Sequence, residues 1–506
     1  MPEIVEDFDV VVIGGGPGGS TAATLLAMQN HRVLLLEREK FPRYQIGESL
    51  LPATIHGICN MLGLSEELNK AGFVRKLGGT FRWGNNPEPW TFSFSTASTI
   101  SAPKAYAYQV ERQKFDNLLL RNAAHKGVDV RERHAVKELI FEGERVCGVA
   151  FVDAEGNARK AMARYVIDAS GHKSHIYQHV GERIYSNFFQ NLALFGYFEG
   201  AARFPPPRSG NIFCAAFSEG WFWYIPLSDT LTSVGAVVSK QYSDQLKMGH
   251  EKAMNHFINS CPEIKDLLKD AHRVTEGVYG ELRVRRDWSY TNERFWRPGL
   301  VLVGDAACFI DPVFSSGVHL ATYSALLAAR SIGSILNDEL DETRCFEEFE
   351  KRYRREFRNF YEFLTAFYDM HQHEDSYFWK ARKILKTHES VQEAFVALVA
   401  GGSSLHDEDL LVDNTNISRI QDEIQQLEDD EKDAAPYFAA EKEAFLDVLV
   451  EEATQIQTQA SVGSKRATER PLFEGGLIPS ADGLRWREVV PATIPDYAKL
   501  NRAFLS

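Results

Sequence analysis

A glycine-rich turn near the start of the chain constrains its fold more than any other feature. Residues 8–13 form a short apolar, β-branched run, Gly14-x-Gly16-x-x-Gly19 follows at once, residues 20–28 have helical character, and residues 32–36 return to strand character. That succession is a βαβ unit. Gly14, Gly16 and Gly19 let the backbone approach a pyrophosphate, and the helix opening at Ser20 turns its N-terminal amides toward the same charge. Glu37 ends the second strand, where a carboxylate binds a ribose hydroxyl and repels a 2′-phosphate, so the pattern predicts a dinucleotide lacking that phosphate. No second GxGxxG follows a strand, so no separate nicotinamide site is visible.

A chain of 506 residues is long enough for more than one packed unit. With 44% hydrophobic and 25% charged residues it has ordinary soluble composition, and no uncharged apolar run approaches the ~20 residues that span a bilayer. No export signal is seen at the start, which has neither a basic region nor a small-residue cleavage site. Cys59, Cys147, Cys214, Cys261, Cys308 and Cys345 lie far apart without a CxxC pair, which argues against a disulfide framework or zinc site and for a reducing cytoplasm. His371-Gln372-His373 lacks a nearby third ligand, so no metal is expected. A formal charge of −14 without a long basic stripe disfavours a nucleic-acid footprint.

Residues 80–110, 135–165 and 190–240 alternate apolar and polar positions between turn signals, as strands of an inserted substrate sheet would. Residues 318–336 read as a helix, and 343–368 place Phe346, Phe349, Tyr353, Phe357, Phe360, Leu364 and Phe367 at three- and four-residue spacing, a core stripe. Beyond Gly401 the chain turns polar and acidic, with another helical stretch at 440–455. The expected organisation is a core over 1–375 and a mostly helical extension over 376–506. Within the core, 1–80, 105–185 and 275–335 mainly form the nucleotide part, and 80–105 with 186–275 the substrate sheet.

Val166-Ile167-Asp168-Ala169-Ser170-Gly171 and Leu302-Val303-Gly304-Asp305-Ala306-Ala307 resemble the strand-to-turn motifs of the FAD-dependent hydroxylase superfamily, as does Val110-x-Arg112-x-x-Phe115-Asp116-x-x-Leu119. The resemblance covers roughly residues 8–325. It implies an α/β fold with a Rossmann-like FAD domain, an inserted β-sheet substrate domain, Asp305 at the ribityl chain, Arg112 near the flavin, and Asp168 in the cofactor site.

Trp221-Phe222-Trp223-Tyr224-Ile225-Pro226 and Arg75-Lys76-Leu77-Gly78-Gly79 further resemble the signatures of flavin-dependent halogenases. So do the stretch from Phe41-Pro42-Arg43 through Ile46-Gly47-Glu48-Ser49 to Pro52 and the run Phe309-Ile310-Asp311-Pro312-Val313-Phe314-Ser315-Ser316-Gly317-Val318. The likeness is strongest to the branch acting on tyrosine-derived phenols, to which the chondrochloren-pathway enzyme belongs. It implies FAD supplied as FADH2 by a separate flavin reductase, with chloride or bromide as co-substrate. Arg43, Ile46, Glu48, Ser49, Gly317 and Val318 then join the cofactor set, and Ser316 with Gly317 the halide site.

The residue types suit that chemistry. A flavin hydroperoxide attacked by chloride gives hypochlorous acid, which must be held before it escapes, and the Lys76 ammonium can hydrogen-bond it or, with a lowered pKa, its amine can form a chloramine. Trp221 and Trp223 would wall the acceptor off from the flavin and suppress hydroxylation. The Ser315-Ser316-Gly317 turn could present helix-start amides to a halide. Tryptophan halogenases carry a glutamate just before this turn, and here Phe314 stands there, so an acceptor that activates its own ring is favoured: a tyrosyl or other phenol, free or on a carrier protein. Some relatives tether flavin through an aspartate ester; Asp311 is read as structural. The alternatives are an aromatic hydroxylase or prenyl-group reductase of the same fold, and a non-catalytic flavoprotein docking on a carrier protein.

Overall fold

In the computed structural model the residues described are 5–83, 89–96, 102–369, 396, 398–401 and 471–489. The opening unit forms as its pattern requires: strand Val5–Ile13, helix Pro17–Ala27, strand Val33–Glu37. The last four residues of the first strand and all of the second are buried, so both faces of this part of the sheet need apolar side chains. Ala158–Asp168, Val5–Ile13, Val33–Glu37 and Asp129–Glu132 run side by side in parallel, with Leu300–Leu302 parallel beyond Ala158–Asp168. Helices Pro17–Ala27, Arg112–His125 and Gly317–Leu336 belong to this unit, the first packing on both others.

A nine-stranded sheet forms the second layer. Its centre is the antiparallel run Arg183–Glu199, Leu231–Ser239, Gly220–Pro226 and Ile212–Phe217, continued by Gly78–Arg82 and Trp90–Ser93. Gly220–Pro226 shows why the sheet is covered on both faces. Trp221, Trp223 and Ile225 point into the main core shared with the nucleotide unit, whereas Phe222 and Tyr224 point into a second core closed by helices His250–Ser260 and Pro262–Leu267. Each fully buried aromatic contributes roughly 2–3 kcal/mol by area.

Residues 135–165 lie in the nucleotide part, within the 105–185 expected for it, and not in the substrate sheet that their alternation suggests: the hairpin Ala135–Glu142 and Arg145–Val152 extends the nucleotide sheet through Ala158–Asp168. Conversely, Arg283–Asn292, expected with the nucleotide part, pairs along Arg183–Glu199 in the larger sheet. Within 376–506, the Pro- and Gly-containing residues 471–489 form the strand pair Ile478–Pro479 and Trp486–Arg487. It is fixed to the long helices by Trp486 Nε1 donating to Ser331 Oγ (2.9 Å) and Arg352 Nη2 donating to the Leu477 carbonyl (2.8 Å). The 440–455 helix and His371–His373 lie outside the described residues.

Helix Glu342–Asp369 carries the aromatic stripe. Phe346, Phe349, Tyr353, Phe360, Leu364 and Phe367 are fully buried in the main core, and Phe357 is partly exposed. No described helix is long and apolar enough to cross a membrane.

Candidate active site

The glycine turn is built for a pyrophosphate. Gly14 has φ +100°, and a Cβ on it would stand 2.6 Å from the Ala169 carbonyl oxygen; a Cβ on Gly19 would collide with the Gly14 oxygen. The helix beginning at Pro17 has no side-chain cap and no acidic residue in its first turn, so its amides are left to an anion. Glu37 accepts from the Gly15 amide and the Glu39 amide, both at 2.7 Å, which fixes its carboxylate beside the turn and leaves lone pairs for a ribose hydroxyl. The guanidinium of Arg43 reaches within 3.5 Å of where a Gly16 Cβ would be and is held by Asp116 at 3.1 Å. These residues fit a dinucleotide such as FAD.

Other predicted cofactor residues also make defined contacts within the protein. Arg112 is clamped by Asp116 (2.7 and 2.9 Å) and donates to the Ile46 carbonyl at 2.7 Å, so it shapes the 46–49 loop; Gly47, at φ +100°, has no room for a Cβ against this arginine. Asp168 is fully buried and accepts from Ser170 and Ser174, and Ser20 donates to the Gly15 carbonyl at 2.9 Å. Both brace turns beside the glycine loop. Asp305 is only partly buried in the cleft, facing Arg112, Arg183 and Arg285, and burial pushes its carboxyl up to about 6. Glu48 is buried with Oε1 accepting from Tyr197 (2.7 Å) and Oε2 without a partner; burial pushes it up to about 7. The buried Ser49 hydroxyl also has no partner.

Lys76 sits deep beside this loop. It is 1% exposed, its Nζ donates to the Leu50 carbonyl at 3.0 Å, and the Phe94 ring lies 5.5 Å away. Burial pulls its pKa from 10.5 down to about 7, with Cys214 as the titratable neighbour acting on it. Gly78 and Gly79 explain the enclosure: a Cβ on Gly78 would collide with the Phe92 oxygen and one on Gly79 would lie 2.7 Å from its ring, so their absence lets 92–94 close over the lysine.

The two indoles lie on the same face of the sheet, ring centroids 6.2 Å apart. Trp223 is opposite Gly235, where any Cβ would strike the indole, and donates to Ser233 Oγ at 3.1 Å. Its other cross-strand neighbour is Cys214, beside Lys76. Trp221 closes a cavity of about 470 Å³ also lined by Trp83, Phe188, Asn191 and Tyr368. Trp221 Nε1 donates to Tyr368 Oη at 2.5 Å.

At the 315–317 turn, Ser315 is left-handed (φ 61°), and Ser316 starts helix Gly317–Leu336 with its buried Oγ lacking a partner. The helix has no acidic residue in its first turn, and nothing lies within 4 Å of a Cβ built on Gly317. An orphaned hydroxyl and uncapped amides suit a halide; Val318 is buried just behind. Phe314 packs on Phe363 (4.8 Å) and Phe367 (4.7 Å), so no carboxylate occupies that position. Among the described residues no cluster of three or more His, Cys, Asp or Glu could hold a metal ion.

Motifs did not point to Tyr368, Asn191 or Asp287. Tyr368 donates to Asp311 Oδ2 at 2.8 Å and Asn191 Nδ2 to the same oxygen at 3.2 Å. Asp287 stands opposite Asn191 on the neighbouring strand, buried, its Oδ2 unpartnered. Burial pushes both carboxyls upward, and the charge of Asp311 adds to the rise at Asp287. The one available signal was position: Tyr368 follows the last residue of the aromatic stripe.

A dinucleotide cradle on a parallel sheet, joined to a covered antiparallel sheet holding a buried lysine and two indoles, defines an FAD-dependent oxidoreductase. The model of the tryptophan halogenase family matches residues 9–103 and 95–421, and the chain belongs to this family of flavin-dependent halogenases. It is therefore an FADH2-dependent oxidoreductase that uses FAD and takes halide as co-substrate. A tryptophan 2-halogenase from Chondromyces crocatus is 34% identical over 412 residues, 79% of this chain and 76% of that protein. The 1H-pyrrole-2-carbonyl-[peptidyl-carrier protein] chlorinase of Pseudomonas fluorescens is 30% identical over 384 residues, 72% of this chain and 84% of that one. The structure of the myxobacterial chondrochloren halogenase CndH, described as a new variant of FAD-dependent halogenases, shares 55% identity with a TM-score of 0.73, covering 95% of this chain and 100% of that one.

Proposed function

We propose that this halogenase chlorinates an electron-rich phenol, tyrosyl or similar, free or held on a carrier protein, with Lys76 delivering the halogen. When bound, reduced FAD with dioxygen and halide supplies hypohalous acid. The observation that carries the reading is the enclosure of Lys76: 1% exposed, under Phe94, with its pKa brought to about 7. At that value the group is divided between ammonium and amine near neutrality, able to hold the oxidant by hydrogen bond or by a nitrogen–halogen bond.

Trp221 and Trp223 separate the cofactor side from the acceptor, and Ser316 with Gly317 holds the halide at the helix start. Phe314 in place of a carboxylate favours an acceptor activated by its own hydroxyl. The carrier-bound alternative is supported by the Pseudomonas relative, whose name specifies a pyrrole on a peptidyl carrier protein. Its flavin would come from a separate reductase, as for flavin-dependent halogenases generally. Six free cysteines support a reducing cytoplasm as its place of action.

The test is intact-mass analysis after incubation with reduced FAD, dioxygen and chloride, offering tyrosine, tryptophan and a tyrosyl-loaded carrier protein. The account expects chlorine on a tyrosyl ring, and a Lys76→Ala enzyme that binds FAD and releases peroxide without chlorinated product. Chlorination confined to tryptophan would overturn the acceptor assignment, and an active Lys76→Ala enzyme the role of the lysine.

A further inference from the structure

Among the hydroxyls that line the cavity beside Trp221, that of Tyr368 has a destination for its proton. Tyr368 Oη donates to Asp311 Oδ2 at 2.8 Å and accepts from Trp221 Nε1 at 2.5 Å. A phenolic oxygen has one donor and two acceptor positions, so one lone pair is left on Oη, and Tyr368 lines the cavity. Resting on the phenol reading above, we propose that Tyr368 takes the hydroxyl proton of the bound phenol as it passes its own proton to Asp311, generating the phenolate that is halogenated.

The surroundings prepare Asp311 as the acceptor. Its carboxylate receives three donors, the Val313 amide on Oδ1 and Tyr368 and Asn191 on Oδ2, which favour its ionised form. The nearby Asp287 has an unpartnered, buried oxygen, and two neighbouring carboxyls in an apolar interior do not both ionise. Asp287 therefore keeps a proton, and Asp311, the better solvated by hydrogen bonds, holds the charge. Cys214 is the remaining titratable neighbour, and burial pushes its thiol upward, so it stays neutral.

The cavity of about 470 Å³ is within the size range of small-molecule sites, and its Trp83, Phe188 and Trp221 walls suit an aromatic ring. Lys76 is not among its lining residues. The sheet register nevertheless keeps the two close: Trp223, whose partner Cys214 neighbours the lysine, is two residues from Trp221, a step of ~7 Å along the strand.

The proton and electron balance closes with what the established activity supplies. The phenol O–H proton goes to Tyr368 and the Tyr368 proton to Asp311. The phenolate ring then attacks halogen, forming the carbon–halogen bond as the oxygen–halogen bond of hypohalous acid breaks; the ring is oxidised by two electrons and the halogen reduced. The departing hydroxide recovers the proton from Asp311 through Tyr368 as water, and the ring carbon's proton moves to oxygen to restore the phenol. Tyr368 is a catalytic residue in this scheme; Asp311 acts through it as a positioning residue and proton store.

The experiment compares the FAD-loaded full chain with its Tyr368→Phe and Asp311→Asn variants on two acceptors, para-methylphenol and para-nitrophenol, at a pH between their ionisations. Rates are normalised to hypohalous acid measured by a chemical trap. With the neutral methylphenol, Tyr368→Phe is expected to lose about 100-fold in kcat. On the already ionised nitrophenol, both variants are expected to stay within about threefold of the parent, because no proton needs to be removed. An equal loss on both phenols, or no loss on methylphenol, overturns the relay. A parent enzyme that releases hypohalous acid yet halogenates neither phenol overturns the phenol reading itself.

Discussion

Replacing Lys76 by methionine should make the protein more stable while abolishing halogenation. The lysine is buried with its pKa brought from 10.5 to about 7, so the unfolded chain binds a proton more tightly than the folded one. Between those two values stability therefore rises with pH, and below about 7 the full penalty applies. At pH 7 the penalty is on the order of 4 kcal/mol. Methionine keeps the length of the side chain without the charge. Its cost is the lost hydrogen bond to the Leu50 carbonyl, about 1 kcal/mol. The net expected gain is about 3 kcal/mol at pH 7, shrinking to near zero at pH ~9.5, where the unfolded lysine is itself close to losing its proton. Urea unfolding of the two apoproteins at both pH values measures this directly. A Lys76→Met protein that is less stable at pH 7, or whose advantage does not change with pH, would refute a desolvated lysine.

Two further substitutions separate packing from chemistry. Gly235→Val drives a side chain into the Trp223 indole and is expected to cost about 1–3 kcal/mol in thermal or urea unfolding and to lower halogenation, because the indole must move. Ser316→Ala removes a buried hydroxyl that has no partner, so stability should change by less than about 1 kcal/mol, whereas the KM for halide should rise several-fold in steady-state kinetics.

The opening βαβ unit was legible because its three signals, strand period, glycine spacing and terminal acid, are local. Sheet membership was less so. The 135–165 hairpin alternates as any half-buried strand does, and alternation states that a strand exists without naming its partner. Arg283–Asn292 hides among Arg283, Arg285 and Arg286 although Asp287 and Tyr290 are buried. At the site, Lys76, Trp221 and Trp223 stood in recognisable motifs. Tyr368, by contrast, acquires its meaning from Asp311 and Trp221, 57 and 147 residues away in sequence. Helical spacing assigned the stripe before it to the core and carried no information on hydrogen bonds across the fold. Asp168 and Ser20 stood in motifs too, but the hydrogen bonds they make to neighbouring turns were not legible there.

The most direct test follows the oxygen atoms. Reduced FAD, chloride and isotopically heavy dioxygen would be supplied with a phenol to the native and Lys76→Ala enzymes, and ring-bound chlorine and heavy oxygen read by mass spectrometry. The account predicts chlorine and no heavy oxygen on the ring from the native enzyme, with neither from the variant. Heavy oxygen in the ring, formed with or without chloride, would contradict it.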